Sequence, residues 1–452
     1  MRIPAHSNWS NPSVSSFAEG GDPIEKMMQV ASSVALEAIQ QGWPGPPFDP
    51  FRLAEILKIK TVPREDVLDA RTVPTSSGKV QVEYNPTRPQ QRIRFSIAHE
   101  IAHTFFPNCS ERVRYRGGGQ TEANEWELEM LCNIGAAELL MPIGSLPDFE
   151  EKMLTIEGLI GLRKEYQLST ESLALRYINV TGHPAAVFVA SRSQDASIQR
   201  YHIDYALGSR SWPVRLPKGF SLPAGTVVEQ CTAIGYTAKN EEVWGEKLGK
   251  LYIECLGLPP YSSSPYPRAL GIVHPTDGKT EPARKIRFAV GDATQMSGAG
   301  QKILAHVVND KTPNWGAGFG LAVRRAFPTV QEEFRRWALK DASRLRLGNV
   351  FITKISSDVH VSPMVCQKGY GPSDKPRIRY AALKDCLQRV MEKAVEVKAA
   401  VHMPRIGSGQ AGGSWGLIEQ LIDENLCRHG IDVTVYDLPG AAQVTAPLSL
   451  FD

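Results

Sequence analysis

The sequence predicts a multidomain α+β protein made of a mostly helical part, a β-rich extension and a three-layer α/β/α part. Three observations predict this class. The chain has 452 residues, which at roughly 150 residues per domain is too long for one compact core. Apolar residues recur at helical spacing through much of the first part. In the last third, short apolar runs alternate with helical patterns, which is typical of a three-layer α/β domain.

The helical part is predicted from apolar stripes, helix caps and helix breakers. Its expected elements are a helix over Met27–Ala38, a short helix capped by Asp49, a strand over Lys79–Asn85, a helix over Phe95–Phe106, a helix over Glu122–Met141, and small helices over Ile156–Tyr166 and Glu171–Ile178. The two small helices have the separation of a helix-turn-helix, but they lack a basic recognition face. We therefore interpret them as a packing element and expect no direct nucleic-acid partner.

The rest of the chain divides at a short polar segment. A β-rich stretch begins at Val187–Ala190 and runs to about Pro275, and the polar segment Thr276–Arg284 suits a linker. The α/β elements expected after it are Ile286–Val290, Ile303–Val308, Leu321–Phe327, Val350–Thr353, Tyr380–Val397, Ala400–Pro404, Leu417–His429 and Val433–Tyr436. The expected division is 1–22 for a loose N-terminal tail, 23–182 for the helical domain with its small helical subdomain, 183–275 for the β-rich domain, 276–284 for the linker, 285–440 for the α/β domain and 441–452 for a C-terminal tail.

Composition excludes several classes of protein. Apolar residues make up 42% of the chain and charged residues 22%, so wholesale disorder is excluded. No run approaches the roughly 18 apolar residues of a spanning helix, and the first residues lack the apolar core of a signal peptide. Seven cysteines lie scattered without CxxC spacing, as is typical of reduced cytoplasmic thiols. We therefore expect a cytoplasmic protein without a membrane partner.

The net charge of the whole chain is small because an acidic part and a basic part offset each other. The chain has 51 Lys and Arg residues against 48 Asp and Glu residues, a net of +3. Residues 1–275 carry 27 basic and 30 acidic residues, whereas residues 276–452 carry 24 and 18. An acidic part is thus joined to a basic part, which suits an anionic ligand in the last third.

The sharpest local signal is the HExxH string from His99 to His103. On a helix, residues four apart share a face, so both imidazoles can bind one metal ion. Glu100 follows the first histidine, where its carboxylate can hold and deprotonate a water whose pKa the metal lowers towards about 7. The apolar neighbours of the motif indicate a buried helix. The pattern therefore predicts a catalytic metal site with Glu100 as the general base.

A third protein ligand is expected from the next helix, because catalytic zinc sites usually have three protein ligands. Glu129 is the leading candidate, since it lies one turn before Cys132 and Asn133 on the apolar face. Glu125, one turn earlier, is the alternative, and Cys132 is a further soft donor that we interpret as a small buried residue. We expect Glu127 to project away and be solvated.

These residues resemble a known family. The strings RIRFSIAHEIAHTFF and AAELLMP, with the Glu-rich helix between them, resemble the ImmA/IrrE metallopeptidases from about Met27 to Pro275. The resemblance implies a zincin-like domain, one catalytic Zn²⁺ bound by His99, His103 and Glu129, and cleavage of a partner protein, often a repressor, under stress. The family pattern after Glu129 differs here, because a second Glu and a Phe are replaced by Leu131 and Gly135.

A second constellation occupies the last third. It consists of Gly291–Thr294 after a strand, HVVND at 306–310, WGAGFG at 315–320 before a helix, and MPRIGSGQAGG at 403–413. Glycine-rich turns between a strand and a helix N-terminus expose backbone N–H groups that favour phosphate oxygens. Two such loops suit a pyrophosphate.

These strings resemble a macro domain, the ADP-ribose-binding module, and its terminal ADP-ribose protein glycohydrolase branch in particular. The resemblance covers about Lys285 to Leu438 and implies ADP-ribose as the ligand. By resemblance, Asp292 contacts adenine and Asn309 the distal ribose, and the two loops bind the rest of the ligand through Gly316, Gly318, Phe319, Gly407, Ser408, Gly409 and Gln410.

The resemblance favours a reader of ADP-ribose over a hydrolase. The hydrolytic members carry a lysine and an aspartate, and Ala317 and Ala411 stand at the positions that we compare with them. Alanine can neither form a Schiff base nor relay a proton, although Asp310 and Lys311 lie near enough in sequence to substitute. We expect a zinc protease whose macro domain binds ADP-ribose or an ADP-ribosylated substrate protein. The alternative is an ADP-ribosyl-protein hydrolase with a zincin-like scaffold.

Overall fold

The structure is a computed structural model of the full chain. It describes residues 9–75, 78–109, 114–115, 125–145, 154–192, 200–209, 211–212, 214, 216–231, 233–245, 249–260, 266–276, 286–371, 373 and 375–438. The expected linker, apart from Thr276, and the expected C-terminal tail lie outside these residues. Within the described part of the chain, no helix combines the length and the apolar character needed to cross a bilayer.

The chain divides into two compact units. The first comprises residues 1–32, 43–142 and 146–281, and the second comprises residues 33–42, 143–145 and 282–452. The elements from the N-terminus to residue 275 are α1 (Pro12–Ala18), α2 (Pro23–Gln40), α3 (Pro50–Ile56), β1 (Lys60–Pro63), β2 (Ala70–Pro74), β3 (Val80–Tyr84), α4 (Gln90–His103), β4 (Arg114–Tyr115), α5 (Glu125–Leu140), α6 (Ile156–Tyr166), α7 (Thr170–Val180), β5 (Ala186–Arg192), β6 (Tyr201–Gly208), a 3₁₀ turn (Val227–Gln230), β7 (Thr237–Val243), β8 (Lys250–Leu258) and β9 (Arg268–Pro275).

Helices α4 and α5 pack closely beside a four-stranded sheet of order β1-β3-β2-β4. A Cβ added at Gly135 would lie 2.7 Å from Met27 Sδ and 2.9 Å from Ala102 Cβ. The side chain is therefore excluded at this crossing by close packing. This explains in physical terms why a glycine stands where the resembling family has a phenylalanine.

The expectation of a loose tail over residues 1–22 is wrong for its second half. Asn11 caps α1, with its side chain accepting hydrogen bonds from Ser13 N and Val14 N, and Val14 and Phe17 are buried. The expectation of a solvated Glu127 is also wrong, because that side chain is 3% exposed. Its carboxylate accepts hydrogen bonds from Ser10 N, Ser10 Oγ and Asn11 N at 2.9–3.1 Å. The N-terminal segment satisfies this buried charge, and the charge in turn anchors the segment.

The small helices α6 and α7 are packing elements of the first unit. A core cluster joins their apolar residues to α5 and to the β-rich sheet, as Leu159, Tyr177 and Leu270 show. Arg176 on α7 forms a buried ion pair with Glu138 on α5 at 2.7 Å. The β-rich sheet has five antiparallel strands in the order β6-β5-β9-β8-β7.

The second unit contains a six-stranded sheet between two layers of helices. Its elements are β10 (Arg287–Val290), β11 (Lys302–Asn309), α8 (Gly318–Ala326), α9 (Pro328–Lys340), a 3₁₀ turn (Ala342–Leu345), β12 (Thr353–Lys354), β13 (Val359–Gln367), α10 (Tyr380–Val397), β14 (Ala400–Pro404), α11 (Trp415–Asn425), a 3₁₀ turn (Cys427–His429) and β15 (Val433–Asp437). The strand order is β10-β15-β14-β11-β13-β12, and all pairs are parallel except β12 with β13.

The two faces of this sheet bury separate cores. Alternate residues of β11 point to opposite faces. Ile303 and Ala305 therefore pack with α10 and α11, whereas Leu304 and Val308 pack with α8 and α9. The three-layer α/β/α arrangement expected from the sequence is confirmed for this unit.

Candidate functional site

The two histidines of the HExxH string project from the buried side of α4. His99 and His103 are both fully buried. Their Nε2 atoms lie 3.1 Å apart, and the rings meet edge to face with centroids 4.8 Å apart. The helical spacing therefore directs both Nε2 atoms to one point, as the sequence predicts.

Glu129 on α5 completes a three-residue cluster. Its Oε2 lies 3.1 Å from His99 Nε2, and its Oε1 lies 3.3 Å from His103 Nε2. Glu125, the alternative ligand, begins α5 one turn earlier. Two nitrogen donors and a carboxylate thus meet where α4 packs against α5.

Cys132 also lies near the histidines, and it permits a second donor set. Ligand-type atoms of His99, His103 and Cys132 lie within 4.8 Å of one another. The Cys132 Sγ, however, lies 3.3 Å from His103 Nδ1, the ring nitrogen on the side away from Nε2. A metal held by both Nε2 atoms is therefore matched by the Glu129 carboxylate and not by the thiol.

The outer nitrogens of both rings have orienting partners. His99 Nδ1 lies 2.9 Å from Asn133 Oδ1, and His103 Nδ1 faces the Cys132 thiol. An acceptor at Nδ1 fixes the proton there and leaves the Nε2 lone pair free for a metal. Such orienting contacts are typical of metal-binding histidines.

The histidines keep the half-buried Glu129 carboxylate ionised. Burial alone would raise the pKa of Glu129, but hydrogen bonds and charges from His103 and His99 hold this pKa far below its ordinary value. Burial likewise opposes protonation of His103, yet Cys132 and Glu129 together raise its pKa. A half-buried ionised carboxylate beside two imidazoles is well placed to bind a cation. The donor set of two imidazoles and one carboxylate fits Zn²⁺ or a similar divalent ion.

Glu100 presents one satisfied and one unsatisfied oxygen in this buried region. The Thr72 hydroxyl on β2 donates a 2.7 Å hydrogen bond to Glu100 Oε2, and Thr72 is fully buried. Glu100 Oε1 is buried without a hydrogen-bond partner among the described residues. A buried carboxylate oxygen that is left without a partner beside a cluster of donor atoms fits a site for water or a metal ion. No signal in the sequence pointed to Thr72.

In the second unit, the candidate ligand residues follow the carboxyl ends of three parallel strands. Asp292 comes after β10, Asn309 ends β11, and Gly407 comes after β14. These strands belong to one sheet and are parallel, so their carboxyl ends open at the same edge. Ligands of open α/β sheets bind at this edge.

The first loop leads into α8 without a side-chain cap. Ala317 occupies the N-cap position and makes no capping hydrogen bond, and Gly318 has a φ of +58°. The first N–H groups of α8 are therefore available to an anion. Asn309 Oδ1 accepts hydrogen bonds from Lys311 N and Thr312 N, both 2.9 Å, and so shapes the start of this loop.

The second glycine loop, at 407–413, is closed by a hydrogen bond within its own backbone, and it faces the first glycine loop. Gly413 N donates to Gly407 O at 2.8 Å, and Gly407 has a φ of +72°. A Cβ added at Gly318 would lie 3.5 Å from Gln410 Oε1. The two glycine loops thus approach each other at Gln410.

The positions that bear on hydrolysis have structural roles here. Ala411 is buried, and its carbonyl accepts hydrogen bonds from Arg377 N and Ile378 N. The Asp310 carboxylate accepts a 2.7 Å hydrogen bond from Gly369 N. Lys311 is exposed and lies 3.7 Å from that carboxylate. Asp310 therefore holds a neighbouring loop.

Comparisons with known proteins match two separate parts of the chain. Residues 60–177 match the family model of the IrrE N-terminal-like domain, Peptidase M78. A macrodomain protein from Streptomyces coelicolor is 42% identical, over 34% of this chain and 99% of that chain, with a TM-score of 0.31. A structure of a protein of unknown function from Bacteroides thetaiotaomicron is 41% identical over the same shares, with a TM-score of 0.33.

A curated relative that is much longer than this chain matches it over one segment. The chromodomain-helicase-DNA-binding protein 1-like of Danio rerio is 30% identical over 162 residues, which is 33% of this chain. The chain spans about a sixth of that relative's length (15%).

The fold and the two sites define a two-part protein, with a buried His-His-Glu cluster in one unit and a glycine-looped α/β/α domain in the other. The chain belongs to the macrodomain family over about a third of its length, and residues 60–177 match the family model of the IrrE N-terminal-like domain.

Proposed function

We propose that the protein is a zinc-dependent endopeptidase that cleaves a partner protein, and that its macrodomain binds ADP-ribose to direct or regulate this cleavage. The observation that carries the peptidase part is the convergence of His99, His103 and Glu129 at 3.1–3.3 Å. Glu100 Oε1, which has no hydrogen-bond partner in the part of the chain that the structure describes, supports it.

Each residue of the cluster has a defined chemical task. The two imidazoles and the Glu129 carboxylate would hold the ion, which would supply Lewis-acid activation of water. Glu100 Oε1 is placed to accept a proton and to pass it to the leaving amine, because Thr72 already occupies Oε2. The buried surroundings exclude bulk water and strengthen these electrostatic effects.

The ADP-ribose part rests on the two loops and on the family of the domain. Uncapped N–H groups at the start of α8 and the closed turn at Gly407 both suit phosphate oxygens. Asp292 lies exposed at the same sheet edge, where it can accept a hydrogen bond from an exocyclic amine. A substrate that carries ADP-ribose would be held near the peptidase at a high effective concentration.

The test is a comparison of cleavage products in cell lysate. Wild-type protein loaded with Zn²⁺ is added with and without ADP-ribose, and new protein N-termini are labelled and identified by mass spectrometry. Glu100→Gln is the matched control, because it keeps the shape of the side chain but cannot accept the proton. We expect N-termini that need Glu100 and whose yield changes with ADP-ribose.

Two results would contradict parts of the proposal. If no N-terminus depends on Glu100 under any condition, the peptidase part is wrong. If cleavage occurs but isothermal calorimetry detects no ADP-ribose binding, the role of the macrodomain is wrong. Release of ADP-ribose from modified proteins by the Glu100→Gln variant would favour the alternative, an ADP-ribosyl-protein hydrolase.

A further inference from the structure

Charge is distributed unevenly between the two helical layers of the macrodomain. The layer made by α8 and α9 carries five basic residues against Glu332 and Glu333, a net of +3; the five are Arg324, Arg325, Arg335, Arg336 and Lys340. The layer made by α10 and α11 carries three basic residues against six acidic ones, a net of −3. The basic excess of the last third is therefore concentrated on one layer, here called the α8–α9 layer.

The basic side chains of this layer point away from the core. On α9, Val330, Phe334 and Ala338 are buried against the sheet. At about 100° per residue, positions 335, 336, 339 and 340 cover about 140° of the circumference opposite that buried stripe. All five basic residues are exposed. The layer thus presents its cations together to solvent.

These cations are not used by the fold itself. Among the described residues, none of the five forms an ion pair, although Glu332 lies one turn before Arg335 and Arg336. The carboxylate of Glu333 accepts a hydrogen bond from Thr353 Oγ1. On the opposite layer, Lys393 pairs with Glu396 at 2.7 Å. The contrast indicates that the charge of the α8–α9 layer is available to a partner.

Helix electrostatics explain only part of this pattern. Arg324 and Arg325 lie in the last turn of α8 and Lys340 in the last turn of α9, where cations stabilise the helix dipole. Arg335 and Arg336 lie in the middle of α9, where the dipole gives no such benefit. The helix dipole therefore does not account for the two arginines in the middle of α9.

We infer that the α8–α9 layer binds the phosphodiester backbone of a nucleic-acid strand. Four of the five cations are arginines, whose planar guanidinium groups match phosphate oxygens in pairs. Helix α9 alone is about 20 Å long at 1.5 Å per residue, so the layer can contact several successive phosphates. The expectation of no direct nucleic-acid partner rested on the small helices at 156–178 and not on this layer. The inference does not depend on ADP-ribose binding or on peptidase activity.

The experiment measures binding of the full-length protein to a fluorescein-labelled 20-nucleotide oligothymidine by anisotropy over a series of salt concentrations. For a single strand, the slope of log K against log salt is about −0.7 per neutralised phosphate. Five contacts give a slope of about −3.5 at most. The variant Arg335→Gln/Arg336→Gln should reduce the slope by about 1.4 and weaken binding at low salt at least about 10-fold.

A matched variant on the other layer controls for net charge. Arg389→Gln/Lys393→Gln removes the same two charges from α10 and should leave binding within about twofold. Unchanged urea midpoints of both variants check that the fold is intact. The inference is overturned if oligothymidine does not bind at low salt, or if both double variants weaken binding equally. It is also overturned if polyglutamate of equal charge competes as well as the oligonucleotide, since the surface would then accept an acidic polypeptide.

Discussion

Replacing Thr72 by valine should destabilise the first unit, chiefly because the hydroxyl's short hydrogen bond to the Glu100 carboxylate is lost. The hydroxyl of Thr72 donates to Glu100 Oε2 at 2.7 Å, and Thr72, Glu100 and both neighbouring histidines are fully buried. Valine has the same shape but no donor. Since Glu100 Oε1 has no hydrogen-bond partner among the described residues, the variant leaves neither oxygen of this buried carboxylate paired within that part of the chain.

The magnitude follows from the loss of that donor. Removing the partner of a buried acceptor costs about 1–3 kcal/mol, and we expect about 2 kcal/mol in the free energy of unfolding, or roughly 30-fold in the folding equilibrium. Replacing both groups by apolar ones can be nearly neutral. In a Glu100→Met background, Thr72→Val should therefore cost less than about 0.5 kcal/mol. Thr72→Ser keeps the donor and should stay near the wild type.

Urea unfolding of the four proteins in the double-mutant cycle provides the measurement. The transition of the first unit is identified by its shift to higher urea when Zn²⁺ is added, because a ligand that binds the folded state stabilises it. A coupling energy of about 1.5 kcal/mol or more is expected. If Thr72→Val costs the same with and without the Glu100→Met substitution, the reasoning is refuted, because the valine effect is then unrelated to the carboxyl group.

Three further predictions concern the two sites. Asn133→Ala should lower Zn²⁺ affinity about 10–100-fold, because His99 Nδ1 loses its orienting acceptor; competition with a chromophoric chelator measures this, and unchanged affinity contradicts it. Gly318→Val should lower ADP-ribose affinity at least about 10-fold by calorimetry, because a φ of +58° strains any side chain and the Cβ points towards the facing loop. The control is Gly430→Ala, at a φ of +76° before β15, which should leave ADP-ribose affinity unchanged. Burial lowers the pKa of His306 to about 3, below the value of about 6.5 in the unfolded chain. Between these two pH values the unfolded chain binds a proton that the folded protein does not bind. The free energy of unfolding is therefore highest above about pH 6.5, and it falls by about 1.4 kcal/mol per pH unit as the pH drops towards 3. His306→Leu should remove that slope between about pH 6 and pH 4 in urea unfolding, and an unchanged slope would count against it.

The sequence predicted those features whose signal is local. Spacing of four on a helix is sufficient to bring His99 and His103 together, and the structure shows their Nε2 atoms meeting. The long helix over Tyr380–Val397 and the strand over Ala400–Pro404 have the bounds that the pattern predicts. In each case the periodicity of a single element carries the information.

Features that depend on distant partners could not be predicted in this way. Glu127 looked solvated from its helix, but its partners Ser10 and Asn11 lie more than a hundred residues earlier. The hydrogen bond from Thr72 to Glu100 crosses from a five-residue strand to a helix, and short strands carry a weak pattern. Strand β13 was missed because it is buried on both faces and contains Pro363, so it shows no alternation.

The order of strands in the macrodomain has a consequence for how its proposed ligand site can vary. The two glycine loops are separated by almost a hundred residues, yet they follow β11 and β14, which are paired neighbours in the sheet. The width of the gap between the loops is therefore set by one interstrand spacing of about 4.8 Å. Changes in the length of α9, of the 3₁₀ turn at 342–345 or of the connection to α10 leave that spacing untouched. The outer helical surface of the domain can thus diversify in sequence and length while the ligand gap keeps its dimensions.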